Sequence, residues 1–383
     1  MKYKSIEPIK NSTQIRIAEL DVAEGVSEYQ VIVEGLDPSL RYAQQVENVF
    51  ASFENWLLDQ NQEASLIFLR CFLSDAVNQN DLLQARLNDE FTCALSVVQQ
   101  APLNGTKIAL WAYVQTKVQV RLLSTGLLSV KHGVYEHLWS ATATNHASNS
   151  EYQTRILLNE YIMQLAERGC TLAQDCMRTW FFVHDVDHHY DGVVKARNEV
   201  FKTQGLTPET HYIASTGIGG SSSDPRVLVQ MDTYAVKGLK EGQVQFLYAK
   251  SHLNPTYEYG VSFERGVCIN YGDRRHIFIS GTASIDNKGE IVSPGDIYEQ
   301  THRMWENVET LLWEAKATFD QVGLMIVYLR DPADFQRVQQ LYEERFPAIP
   351  RLILLASICR PGWLIEMECI AFVRTVDPLF PVL

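Results

Sequence analysis

No apolar run in this 383-residue chain approaches the roughly 18 residues that a membrane-spanning helix requires. Met1-Lys2-Tyr3-Lys4 leads into polar sequence rather than an apolar core with a small-residue cleavage site. A soluble, cytoplasmic protein with no membrane partner is therefore expected. Basic residues form no run and are outnumbered, 33 against 46 acidic, for a net charge of −13. That balance argues against a nucleic-acid footprint, which needs a basic stripe, and leaves only local positive patches. There is no Cys-x-x-Cys pair. The seven cysteines, Cys71, Cys93, Cys170, Cys176, Cys268, Cys359 and Cys369, lie mostly in apolar surroundings, as buried reduced thiols do. No long Pro/Gly/Ser linker divides the chain, although its length suits two or three domains.

What the chain does contain is one pattern three times. Gln300-Thr301 opens a helix with Met304, Val308, Leu311, Leu312 and Ala315 at helical spacing; the strand Leu324–Asp331, a second helix through Phe346 and two further strands follow. The second copy runs from Gln153-Thr154 through the strand Met177–Asp185 and Arg197–Phe201 to strands around Ser221–Pro225. Gln153 to Asp185 spans 32 residues, against 31 for Gln300 to Asp331. The first copy is more diverged: Gln44 opens its helix, Leu66–Asp75 is its strand and Ala101–Gly105 turns into Ile108–Val114. Extended sequence precedes each copy, and Trp139–Thr142 and Ile279–Thr282 occupy matching places. The expectation is an α+β protein of three units, 1–117, 118–240 and 241–383, each a mixed sheet covered by two helices. The three pack about a pseudo-three-fold axis as a trimer within one chain. Such a chain has little need to trimerise further, so a monomer or dimer is expected.

The stretch from Pro350 to Ala371 reads as two apolar strands around Arg360-Pro361-Gly362, a hairpin whose arms carry Arg351 and Glu366, fifteen residues apart. Aligning the copies on Ala112, Ala235 and Ala371 matches Arg351 with Thr92 and about His211, and Glu366 with Lys107 and Gln230. Only the third copy has this cation and acid. A surface ion pair is the bland alternative, but a charge in an apolar run is costly unless a partner or ligand compensates it. A partly buried glutamate also has a raised pKa, which suits a general acid. Ser215–Ser223 lacks the Gly-Lys-Ser/Thr ending and the following helix of a nucleotide-binding loop, so it reads as a hairpin or as backbone facing a ligand. His184–His189 has no ligand spacing diagnostic of a metal. Cys359 has no histidine placed to activate it, which makes it a thiol of the pocket wall rather than a nucleophile.

Ile279-Ser-Gly-Thr282, Gly295-Asp296, Gln300-Thr301, Asn307, Val327–Asp331, Pro350-Arg351 and Ile365–Ala371 resemble the RidA (YjgF) family of trimeric imine deaminases. The longer chain is similar to the chorismatases through Arg178-Thr-Trp180, Arg197-Asn198, Ser215–Gly220, Tyr259-Gly260, Ser262–Arg265, Tyr271-Gly272 and Cys359–Gly362. The resemblance implies an enzyme that protonates the enol ether of chorismate and releases pyruvate, without metal or organic cofactor. It implies Glu366 as the acid, Arg351 as a carboxylate clamp and Arg265 as a second anchor, with Tyr212, Thr216, Gly217 and Ile218 on the substrate wall opposite. Gly272 and Cys359 as the two product-determining positions imply 3-hydroxybenzoate rather than a dihydroxycyclohexadiene carboxylate. Glu264 departs from the pattern, in which a small polar residue is expected. Two alternatives remain: RidA-like hydrolysis of enamines or imines, and a non-catalytic small-acid-binding protein of the same fold.

Overall fold

A computed structural model describes residues 1–7, 11–22, 25–60, 63–87 and 91–383, and within it each repeat is a six-stranded sheet. The first comprises β1 (Lys2–Ile6), β2 (Thr13–Leu20), β3 (Glu28–Gly35), β4 (Ala64–Leu73), β5 (Ala94–Gln99) and β6 (Ile108–Thr116), in the order β1-β2-β3-β6-β4-β5. The second comprises β7 (Gln119–Leu122), β8 (Leu128–His132), β9 (Tyr135–Ala143), β10 (Cys176–Val183), β11 (Ala214–Gly219) and β12 (Val229–Lys237), in the order β11-β10-β12-β9-β8-β7. The third comprises β13 (Val244–Leu247), β14 (Gly266–Asn270), β15 (Arg274–Ala283), β16 (Val322–Leu329), β17 (Arg351–Leu355) and β18 (Ile365–Arg374), in the order β13-β14-β15-β18-β16-β17.

Two long helices accompany each sheet: α1 (Tyr42–Leu58) and α2 (Ala76–Leu87), α3 (Ser150–Glu167) and α5 (Val186–Thr203), α6 (Ile297–Glu314) and α7 (Phe335–Arg345); α4 (Leu172–Asp175) is a single turn. Their ends follow from local chemistry. Asp296 caps α6 by accepting from the N–H groups of Tyr298 and Glu299. Met304, Val308, Leu311 and Leu312 form its buried stripe. Among the described residues no helix is long and apolar enough to cross a membrane. The seven cysteines are unpaired, with Cys93 and Cys359 half-buried and the rest buried.

The hairpin expected at Pro350–Ala371 does not form. β17 pairs in parallel with β16, and β18 pairs with the other edge of β16, antiparallel. The same holds for β5 and β6 around β4, and for β11 and β12 around β10. A strand that returns through a helix, as β17 does through α7, lies parallel to the strand before it. The Arg-Pro-Gly segment therefore crosses over an intervening strand.

The register defines the pseudo-three-fold relation. Arg70, Arg178 and Leu324 stand opposite Trp111, Tyr234 and Ile370, which precede the three anchoring alanines. By this register Glu366 matches Gln230 and Lys107, as the sequence alignment has it. Arg351, opposite Met325, matches Ser215 and Val97 rather than His211 and Thr92. The units meet on their inner faces through aromatic rings, among them Phe68 with Trp139 (5.3 Å), Tyr234 with Phe278 (5.3 Å) and Tyr113 with Phe372 (6.2 Å), so that each seam has an aromatic contact. Buried ion pairs cross all three seams, Arg274 binding Glu28 at 2.6 Å between the third and first units. Arg70 binds Asp232 at 2.8 Å between the first and second units, and Arg178 binds Glu368 between the second and third. At the third seam the positions equivalent to Arg178 and Glu368 are Leu324 and Ala109, both buried and apolar, and the pair there, Arg274 with Glu28, stands at other positions.

Candidate active site

Glu366 and Glu368 are two residues apart on β18, so their carboxyls leave the same face of the strand. Glu368 is fully engaged. It accepts from Trp180 Nε1 (3.1 and 3.0 Å) and Tyr328 Oη (3.0 Å), from Thr216 Oγ1 and from the Arg178 guanidinium. Glu366 receives no hydrogen bond from the described residues and is only 4% exposed. Burial, and then the negative charge of Glu368, raise its pKa to about 8 against the opposing pull of Arg178 and Arg265. At neutral pH Glu366 is mostly a neutral acid, with a carboxylate two residues away.

The Glu366 carboxyl faces a cavity of about 250 Å³ at the seam between the second and third units. One wall is α5 and β11, with Tyr190, Arg197 and Gly217; the other is β15, β18 and the segments around Tyr259–Arg265 and Cys359–Trp363. Three arginines line it. Arg197 lies on the buried face of α5 with its Nε and Nη2 unpartnered, between the rings of Phe181 (6.0 Å) and Phe263 (5.9 Å). Arg265 is held by the carbonyl (3.1 Å) and side-chain oxygen (3.3 Å) of Asn254, and its Nε has no partner. Arg360 donates to the Gly289 carbonyl (3.1 Å) and stacks over Tyr259 and Trp363. A neutral acid surrounded by guanidiniums suits an anionic substrate that must be protonated.

The residues singled out in the sequence divide on this geometry. Glu366, Arg265, Gly217 and Cys359 line the cavity. Burial pushes the Cys359 thiol up to about 12, so it is no nucleophile near neutral pH. Thr216 is buried behind the wall, tied to Glu368, Arg178 and the Gly281 N–H (2.9 Å). Ile218 is buried against Ile358 at the seam. Tyr212 lines a neighbouring pocket of about 170 Å³ beyond Arg265. Its N–H donates to Glu264 (2.7 Å), whose carboxyl burial raises to about 7. Gly272 is not in the cavity: it turns β14 into β15 at the opposite end, its N–H bound to the Pro381 carbonyl. The glycine beside the acid is Gly281, brought there by a bulge in β15 between Ile279 and Thr282. Arg351 is also elsewhere, in a cleft with Arg16 and Glu34, because β16 separates its strand from that of Glu366.

The sequence reading gave no site role to Arg197, Arg360, Tyr190 or Gly281. Arg197 had a signal, a cation among Val193, Ala196, Val200 and Phe201 on the apolar face of a helix. Gly281 had none, since bulges follow from pairing.

A Cβ at position 281 would overlap Glu366 Oε1 and press on Thr216 Cγ2 (3.1 Å). The carboxyl is the end of a flexible side chain and can swing away. Gly281→Ala is thus expected to lower turnover at least tenfold, with the melting temperature close to wild type. Parallel kinetics and thermal melting test this, and unchanged turnover would show that Glu366 need not hold its position.

Comparison with known proteins gives a consistent picture. The family model described as endoribonuclease L-PSP matches residues 262–373. A RutC family protein of Pyrococcus abyssi is 43% identical over 101 residues, which are 25% of this chain and 77% of the relative. The 3-aminoacrylate deaminase RutC of Acinetobacter baylyi is 29% identical over 99 residues, 25% of this chain and 79% of the relative. Over most of the molecule, the crystal structure of a chorismatase superposes with a TM-score of 0.63 at 17% identity. It covers 80% of this chain and 93% of the other, a likeness of fold that extends well beyond a single unit.

Proposed function

The chain belongs to the RutC family, and from that premise we propose that it is a chorismatase-like enzyme that acts on chorismate in the Glu366 cavity. The observation that carries this reading is a buried carboxyl, its pKa raised to about 8 by burial and by Glu368, that lines one cavity with Arg197, whose Nε and Nη2 have no partner. Chorismate presents two carboxylates and an enol ether. Arg197, Arg265 and Arg360 supply the cations for the carboxylates. Glu366 delivers its proton to the enol-ether methylene, the π pair becomes the new C–H bond, and an oxocarbenium ion remains. The carboxylate left on Glu366 stabilises that cation. Water adds to it, and collapse of the hemiketal frees pyruvate. Loss of one water from the ring then gives 3-hydroxybenzoate, so the two products together contain the atoms of chorismate.

Product choice rests on Gly281 and Cys359, with Gly281 taking the part first read onto Gly272. The test is to incubate the purified chain with chorismate and follow pyruvate and aromatic products. Pyruvate with 3-hydroxybenzoate in equal amount is expected; absence of pyruvate above background sinks the proposal. A second reading, enamine or imine hydrolysis, is favoured by the similarity to 3-aminoacrylate deaminase RutC. It uses the same acid, because an enamine is also protonated at carbon. Ammonia released from an enamine, with none of the pyruvate from chorismate, would decide for it. No turnover of either substrate would favour a non-catalytic binding role.

A further inference from the structure

At the seam that contains the Glu366 cavity lies the smaller pocket bordered by Glu264 and Tyr212, and its geometry points to a binding site for a small phenolic carboxylate. The inference takes only the ligand's identity, 3-hydroxybenzoate, from the proposed reaction. The pocket measures about 170 Å³, against about 250 Å³ for the cavity. Tyr212 and the turn before it come from the second unit, whereas Tyr248, Lys250, Tyr257, Glu264 and Arg265 come from the third. Arg265 borders both spaces and is the partition between them.

The pocket walls are fixed by the fold. Glu264 is 7% exposed; its N–H donates to the Ile213 carbonyl (3.0 Å), and its own carbonyl accepts from Ser280 Oγ (2.6 Å). Of its carboxyl oxygens, Oε1 accepts the Tyr212 N–H (2.7 Å), while Oε2 has no hydrogen-bond partner among the described residues. A largely buried acceptor without a donor is costly, and a ligand hydroxyl relieves that cost. Tyr248 is anchored through Glu314, which accepts from the N–H groups of Tyr248 (2.9 Å) and Ala249 (2.7 Å). The exposed Lys250 extends its ammonium over the Tyr248 ring, 5.4 Å from its centre.

Three features define the ligand. Tyr212, Tyr248 and Tyr257 border the pocket, a lining that suits a flat aromatic body. Lys250 supplies a cation for a carboxylate, while Glu264 calls for a hydrogen-bond donor and repels a second carboxylate. The smaller volume leaves no room for the enolpyruvyl arm of chorismate. A ring with one carboxylate and one hydroxyl meets all three conditions. The acceptor is particular to this chain, because Glu264 stands where the chorismatase pattern has a small polar residue. Its place across Arg265 from Glu366 makes the pocket a holding site for the aromatic product beside the point where it forms.

The probe is 3-hydroxybenzoate, used in calorimetric titration of the full chain and in crystal soaks. Density is expected between Tyr248 and Glu264, together with measurable binding in solution. Benzoate, which lacks the hydroxyl, should bind wild type at least tenfold more weakly, and Glu264→Ala should erase that difference. Lys250→Ala, a change at an exposed side chain, should weaken both ligands, whereas Glu366→Gln should leave both intact. Equal affinity of wild type for the two ligands, density confined to the Glu366 cavity, or density without binding in solution overturns the proposal. If Glu264→Ala does not fold, the benzoate comparison and Lys250→Ala decide it. Binding is measured without chorismate, so the two failures are distinct: pyruvate release without binding here sinks this proposal alone, and binding without pyruvate release sinks the reaction alone.

Discussion

Glutamine at position 366 is expected to slow pyruvate release from chorismate by about 10²–10⁴-fold, the range contributed by a positioned general acid, while stabilising the fold. The two effects have one origin. In the unfolded chain the Glu366 carboxyl titrates near 4.3, whereas in the fold burial and Glu368 raise it to about 8. Between those values the native state holds a proton that the unfolded state has released. Stability therefore falls as pH rises through this window, is fullest below it, and does not decline further above it on this account. At pH 7 the penalty is on the order of a few kcal/mol. Glutamine is uncharged and similar in shape, so it removes the penalty together with the proton donor. Kinetics and denaturant melts across pH 5 to 9 check both halves. Wild-type turnover should decline as pH rises through about 8, and the stability gain from glutamine should shrink toward pH 5. Undiminished pyruvate release by Glu366→Gln would remove Glu366 from the mechanism. Equal stability of the two proteins at pH 8 would mean that the carboxyl is not held neutral.

The second large effect concerns the ion pair behind the acid. Arg178→Met is expected to cost about 3–5 kcal/mol of stability, because it leaves Glu368 buried without its cation. Trp180, Tyr328 and Thr216 would still donate to that carboxylate, but neutral donors do not replace a charge. Joining Arg178→Met with Glu368→Leu should recover most of the loss, since a buried pair is often replaceable by apolar groups. The molecule contains a precedent in Leu324 and Ala109, which fill the equivalent positions at the third seam. Urea denaturation of the single and double variants measures this. A single-variant loss below about 1 kcal/mol would show that the pair contributes little to the seam. Arg178 also opposes the rise in the Glu366 pKa, so the single variant should push that acid higher still.

The three-unit fold was legible because each unit repeats a helix, a strand and a second helix at nearly constant spacing. The alignment on Ala112, Ala235 and Ala371 paired Glu366 correctly with Gln230 and Lys107, because each lies five residues before its alanine, within the alanine's strand or, for Lys107, immediately ahead of it. It misplaced the partners of Arg351, because β17 is joined to β18 by a loop and its register is set by β16. Gly272 was chosen by its place in a motif, whereas Gly281 reaches Glu366 through a bulge that only strand pairing reveals.

The sequence by itself determined that the chain is a threefold repeat and that one copy carries an arginine and a glutamate its sisters lack. It also placed that glutamate in an apolar strand, where it would be a neutral acid. Only the tertiary structure decided that Arg351 and Glu366 serve different clefts. The physical reason is the order β18-β16-β17 within a ring of three units. One edge of the third sheet meets the first unit while the Glu366 face meets the second, so two residues close in sequence point into separate seams.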